Sequence, residues 1–143
     1  MGYKSAMEAA GAEVVEYETF GSYQGDWWAS VRFEGKAYWV HGSYGSCSGC
    51  DAFQSQFDYN TTEQCEEHRY DNPSGEVVAA CVKCTEAKAA YAVALAEFGR
   101  SYLHRNEFTQ EEAEKETFRE EDDYSSYGEE KEQHDFVKAH PLV

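Results

Sequence analysis

Between positions 13 and 43 apolar and polar residues alternate. In the run from Trp27 to Phe33, the residues Trp27, Ala29, Val31 and Phe33 fall on one side, and Trp28, Ser30 and Arg32 on the other. That period of two is the signature of a β-strand. Farther on, Ala37, Trp39 and His41 alternate with Tyr38, Val40 and Gly42. The segment is rich in Val, Tyr, Phe and Trp and is interrupted by Gly21, Gly25 and the Glu34–Gly35 pair. These signals predict three antiparallel strands, over about 13–20, 27–33 and 37–43. One face of the sheet is expected to be buried, and aromatic side chains to cover part of the other.

Elsewhere the period lengthens toward that of a helix. A short amphipathic helix is expected over 3–10, ended by Gly11. A two-turn helix is expected over 51–59 with Asp51 as its N-cap, and another helical turn or two over 61–69. The cluster from Asp71 to Gly75 reads as a turn. From 76 to 103 the chain becomes Ala-rich, with Tyr91, Ala94, Leu95, Phe98 and Tyr102 at helical spacing. This is the expected main helix, packed on the sheet, with Gly99 as a local weakness. Thr109 and Glu112 form a capping box that opens an acidic helix to about 121, and a final helix is expected over 125–138. The fold class is therefore α+β: a three-stranded antiparallel sheet packed against a long helix. Residues 1–106 form the core, and 107–143 an acidic helical segment packed on it or extending from it.

Five cysteines change the picture. Cys47–Cys50 and Cys81–Cys84 share the C-x-x-C spacing, with thirty residues between the pairs. Two thiols three positions apart can grip one ion from a single turn, and four close a tetrahedral zinc site. The first pair lies in a Gly-containing turn after a strand. The second lies near the start of the main helix, where the dipole stabilises thiolates. A turn and a helix start contributing two ligands each would be a treble-clef-like arrangement holding a structural Zn²⁺ on Cys47, Cys50, Cys81 and Cys84. Cys65 and His68 share the same separation and are alternates for one pair. Four cysteines would leave no open position for water, which argues against hydrolytic zinc chemistry. A thiol oxidoreductase or metal-dependent enzyme using the C-x-x-C pairs is the alternative. The redox form lacks the larger thioredoxin-like context, because the strands before Cys47 read as an antiparallel meander. No catalytic residue is assigned: His41 reads as a semi-buried strand histidine, Asp26 as an isolated carboxylate, and Ser43 as a turn residue. The chain has no nucleophile elbow, P-loop or dinucleotide fingerprint.

Charge narrows the choice of partner. The net charge is −16, and residues 107–132 hold twelve acidic and three basic side chains. Such a surface repels phosphates, so direct nucleic-acid binding is not expected; a basic protein partner is. No stretch reads as a membrane span or signal peptide, and the expected setting is the cytoplasm, where thiols stay reduced.

The runs FGSYQGDWWASV, YWVHGSYGSCSGCDAFQSQF, FGRSYL and FTQEEAE resemble a family of small proteins encoded by bacteriophages and prophages, over most of the chain. The resemblance implies a phage origin and the cytoplasm of a bacterial host, and it carries no activity or functional residue across. Small acidic phage proteins include inhibitors of host defence, so an anti-CRISPR-type inhibitor that binds an effector nuclease is the expectation. On a helix, Glu112, Glu116 and Glu120 repeat in steps of about 6 Å, close to the spacing of strand phosphates. With Glu111, Asp122 and Asp123 they form the candidate partner-binding set, and Glu114 and Glu121 line a neighbouring face.

Overall fold

The computed structural model describes residues 2–22, 24–45, 51–57, 63–68, 74–105, 107–118 and 129–142. Three strands, β1 (Glu13–Gly21), β2 (Gly25–Phe33) and β3 (Lys36–Tyr44), form an antiparallel sheet in the order β1-β2-β3. The hairpins set this order. Between β2 and β3 the chain reverses in two residues, Glu34 at φ 53° and Gly35 at φ 80°. Positive φ at both positions gives the turn the twist of the flanking strands. In the register Trp28 lies opposite His41 and Ser30 opposite Trp39, so the alternation read from the sequence becomes two distinct faces.

Six helices are described: α1 (Tyr3–Ala9), α2 (Ala52–Phe57), α3 (Gly75–Ala80), α4 (Val82–Arg105), α5 (Gln110–Thr117) and α6 (Glu129–Ala139). The first sheet face carries Trp27, Ala29, Val31, Val40 and Tyr44. It is covered by Tyr3 and Met7 of α1 and by Tyr102 and Leu103 near the end of α4. The second face carries Phe20, Trp28 and Trp39 and is covered by Ala113 of α5 and Val137 of α6. A buried indole N–H usually finds an acceptor. Gln133 accepts from Trp28 Nε1 at 2.9 Å and Gln110 from Trp39 Nε1 at 2.8 Å, so the two C-terminal helices are tied to the sheet by polar as well as apolar contacts. Residue 39 also bridges to Phe108 through paired backbone bonds of 2.8 and 3.0 Å, which covers the middle of the β3 edge.

Three expectations need adjustment. The Ala-rich stretch is two helices, because Cys81 leaves helical geometry (φ −87°, ψ 113°) between α3 and α4. Gly99 is a docking point: a Cβ there would lie 1.9 Å from the Ala6 carbonyl oxygen, so only glycine admits α1 this close to α4. The acidic helix α5 ends at Thr117, earlier than the sequence suggested, and Phe118 turns to extended backbone (φ −72°, ψ 138°). The capping box is present, with Thr109 Oγ1 accepting from the Glu112 amide and Glu112 accepting from the Thr109 amide, both at 3.1 Å.

Candidate metal centre

Among the described residues, α4 meets the first sheet face through Phe98, Tyr102 and Leu103 in its second half. The start of α4 carries part of a cluster of metal-ligating side chains. Cys81 stands directly before Val82, the first residue of α4, and so occupies the N-cap. Its Sγ accepts from the Cys84 amide at 3.2 Å, the bond an N-cap oxygen would ordinarily make. The C-x-x-C spacing therefore puts one sulfur at the cap and the other one turn inside, both where the helix dipole favours negative charge.

The facing donors come from a short 3₁₀ turn, Glu66–His68, whose first bond runs from the His68 amide to the Cys65 carbonyl at 3.1 Å. With three residues per turn, positions i and i+3 eclipse. Cys65 and His68 therefore point the same way, while Glu66 and Glu67 stay exposed.

The four donors of Cys65, His68, Cys81 and Cys84 lie within 4.8 Å of one another and could hold a metal ion. Cys65 Sγ is 3.8 Å from Cys81 Sγ and 3.3 Å from Cys84 Sγ. His68 Nδ1 is 3.4 Å from Cys65 Sγ and 3.2 Å from Cys84 Sγ. A tetrahedron with metal–sulfur bonds of about 2.3 Å and metal–nitrogen bonds of about 2.0 Å has S···S edges of about 3.8 Å and N···S edges of about 3.5 Å. Four of the six separations are within about half an ångström of those edges, and the other two, Cys81 to Cys84 and Cys81 to His68, are within 4.8 Å, so the set can close on an ion by moving chiefly Cys81. None of these three cysteines is in a disulfide. Cys65 and Cys84 are buried, whereas Cys81 and His68 are partly open.

The thiols also polarise one another. Burial disfavours ionisation of Cys65, but bonds from the Cys84 thiol, the His68 amide and the Cys81 and His68 side chains outweigh it and lower the group to about 7. In Cys84 a backbone contact with Cys65 favours the thiolate, but burial and donation to neighbouring sulfurs prevail and raise the group. The Cys84 thiol donates its proton to Cys65 Sγ at 3.3 Å. A divalent cation would displace that proton, since thiolates are the ligating form.

The structure thus brings together Cys81 and Cys84 of the expected set with both alternates, Cys65 and His68. Cys47 and Cys50 lie outside the described residues, as do Glu120, Glu121, Asp122 and Asp123. Glu111, Glu112 and Glu116 are exposed on α5, beside the buried Ala113 and Thr117, and Glu114 is partly covered.

Two further polar clusters bear on the architecture. Asp51, fully buried, accepts from the Tyr3 hydroxyl at 2.7 Å, the Gly45 amide at 3.0 Å, and the Phe53 and Gln54 amides at 3.0 and 3.2 Å. It caps α2 as expected and also ties α1 and the end of β3 to it, which the sequence reading did not foresee. Asp26 is not isolated. Its Oδ1 meets His41 Nε2 at 3.0 Å and its Oδ2 accepts from Gln133 Nε2 at 3.4 Å. The hydrogen bond from His41 is the main cause holding the Asp26 carboxyl below its usual range. His41 stacks on Trp28 at 4.6 Å between ring centroids.

No family model, curated protein or solved structure matches the chain. Among the described residues no helix is long and apolar enough to cross a membrane.

Proposed function

We propose that this chain is a zinc-stabilised, acidic protein-interaction module, and in its sharpest form a phage-encoded inhibitor of a host defence nuclease of the CRISPR type, acting in the bacterial cytoplasm. The observation that carries the module reading is the Cys65–His68–Cys81–Cys84 set. Three thiolates and an imidazole suit zinc, and four protein donors fill its tetrahedral shell. A closed shell holds structure and leaves no position for a reacting water. Here it would staple the 3₁₀ turn to the start of α4.

The net charge of −16 supports a basic partner. The exposed Glu111, Glu112 and Glu116 of α5 are the described part of the acidic surface that would meet such a protein, on a helix anchored to the second sheet face. Carboxylates spaced along a helix can occupy basic positions that otherwise receive phosphates, which is the basis of the nuclease reading.

The test is a cleavage assay with a purified CRISPR effector nuclease and its DNA target. Inhibition is expected to weaken as salt rises, and a Glu111→Gln/Glu112→Gln/Glu116→Gln variant should inhibit about tenfold less. Absence of inhibition across effector types would reject the nuclease reading. Full inhibition by the neutralised variant would reject the charge argument.

A further inference from the structure

Beside the metal centre lies a cavity of about 590 Å³, lined by Gln64, Val78, Ala79, Cys84, Thr85 and Lys88. It opens between the 3₁₀ turn and the junction of α3 and α4. Of the four donor residues, only Cys84 lines it. Cys84 is itself buried, at 1% exposure, and borders this cavity from within α4. Directly behind it stands Cys65 Sγ at 3.3 Å, closer than the Cys65–Cys81 pair at 3.8 Å.

We propose that Cys84 is an oxidation site for hydrogen peroxide or a small organic hydroperoxide, and that its oxidation releases the metal by forming a Cys65–Cys84 disulfide. The inference rests on the zinc reading above and adds a regulation of that site. The Cys84 thiolate attacks the nearer peroxide oxygen; the O–O bond breaks, a sulfenic acid forms and hydroxide leaves. The Cys65 thiolate then attacks the Cys84 sulfur, the S–S bond forms, and a second hydroxide leaves. Two thiolates lose two electrons in total, and one peroxide gains them. Both sulfurs leave the metal's shell. His68 and Cys81 remain, and two donors do not retain a structural ion in competition with water. Thiol reductants reverse the disulfide by exchange, after which the site can refill.

The arrangement matches what such a site needs. The attacked sulfur's residue borders a space large enough for the oxidant, and a resolving thiol stands in contact at 3.3 Å. Val78 and Ala79 supply an apolar wall, while Lys88 follows Cys84 by one turn on the same face of α4.

The experiment uses the full chain loaded with zinc, its metal content measured before any oxidant is added. Hydrogen peroxide is then titrated while released zinc is read with a chromophoric chelator, and disulfides are mapped by peptide mass spectrometry after alkylation. One zinc released for each Cys65–Cys84 disulfide is expected, with reloading after reduction. An Ala79→Phe variant, which keeps all four donors but fills the cavity, should release zinc at least about fivefold more slowly. Release coupled to a different disulfide, or at the same rate in the filled variant, overturns the assignment. A zinc-loaded protein that keeps its metal in excess peroxide overturns the regulation alone. A protein that cannot be loaded with zinc overturns the metal reading and the regulation with it.

Discussion

Replacing Gly99 by alanine sets two effects against each other. Alanine is the better helix former by about 1 kcal/mol, so in an open helix the change would stabilise. Here the new Cβ would lie 1.9 Å from the Ala6 carbonyl oxygen, 2.2 Å from its carbon and 2.7 Å from the Met7 nitrogen, all backbone atoms that no rotamer change can move. An ordinary contact begins near 3.4 Å, so α1 must retreat by about 1.5 Å. That helix buries Tyr3, Ala6 and Met7 almost completely. Overpacking of this kind costs about 1–3 kcal/mol, and full undocking would also expose Tyr3 and Met7 at about 1.5–3 kcal/mol each. The clash outweighs propensity, and a net loss of about 1–4 kcal/mol is expected. For a chain of this size that lowers Tm by about 3–15 °C. The assay is thermal and urea unfolding followed by circular dichroism, with Gly75→Ala as control, since nothing lies within 4 Å of a Cβ there. A Tm for Gly99→Ala at or above that of the parent would refute the close approach of α1 to α4.

Two other expectations concern the site and the core. Apparent zinc affinities of structural sites correspond to about 10–16 kcal/mol over four donors, so losing one should weaken binding by about 10²–10³-fold. Chelator competition should show that loss for Cys65→Ser and for His68→Ala, and little change for Cys47→Ser or Cys50→Ser. Release on changing the latter pair would move the site away from the described cluster. Alkaline pH should also unfold the protein. Burial, aided by the bond to Asp51, raises the Tyr3 hydroxyl; burial raises Tyr17; and burial with the charges of Glu107 and Glu34 raises Tyr38 to about 12. These groups stay protonated when folded, so their contribution is complete below pH 10, where the unfolded chain keeps its protons, and is lost as pH rises above it. Tyrosinate absorbance and circular dichroism should change together above pH 10. Titration of these three tyrosines near 10 in a folded chain would contradict their burial.

Local signals predicted local structure well. Alternation from 27 to 43 gave both strands and their two faces, because in a half-buried strand side-chain direction follows from parity alone. Thr109 and Glu112 announced the start of α5, because a capping box is complete within four residues. Asp51 announced α2 for the same reason. The C-x-x-C at 81–84 and the C-x-x-H at 65–68 were each visible as a pair that can grip a metal from one turn.

Which pairs share a site is a different kind of fact. Cys65 and Cys84 meet at 3.3 Å across 19 positions of chain, and no spacing rule decides between Cys47–Cys50 and Cys65–His68 as the partner of the helix pair. The break at Cys81 was likewise hidden, since Ala79 and Ala80 before it favour continuing the helix, whereas its Sγ takes the capping bond from the Cys84 amide. Gly99 read as a weakness because propensity counts a residue's own backbone, whereas its value lies in the carbonyl of Ala6. The second core needed the tertiary structure most: Trp28 and Trp39 could be placed on a face, but their cover comes from Gln110 and Gln133, about 70 and 105 positions away. Patterns of period two or 3.6 record what each side chain asks of its immediate backbone. Contacts across the fold depend on loop closure and on competition among many apolar surfaces, which the order of residues along one segment does not encode.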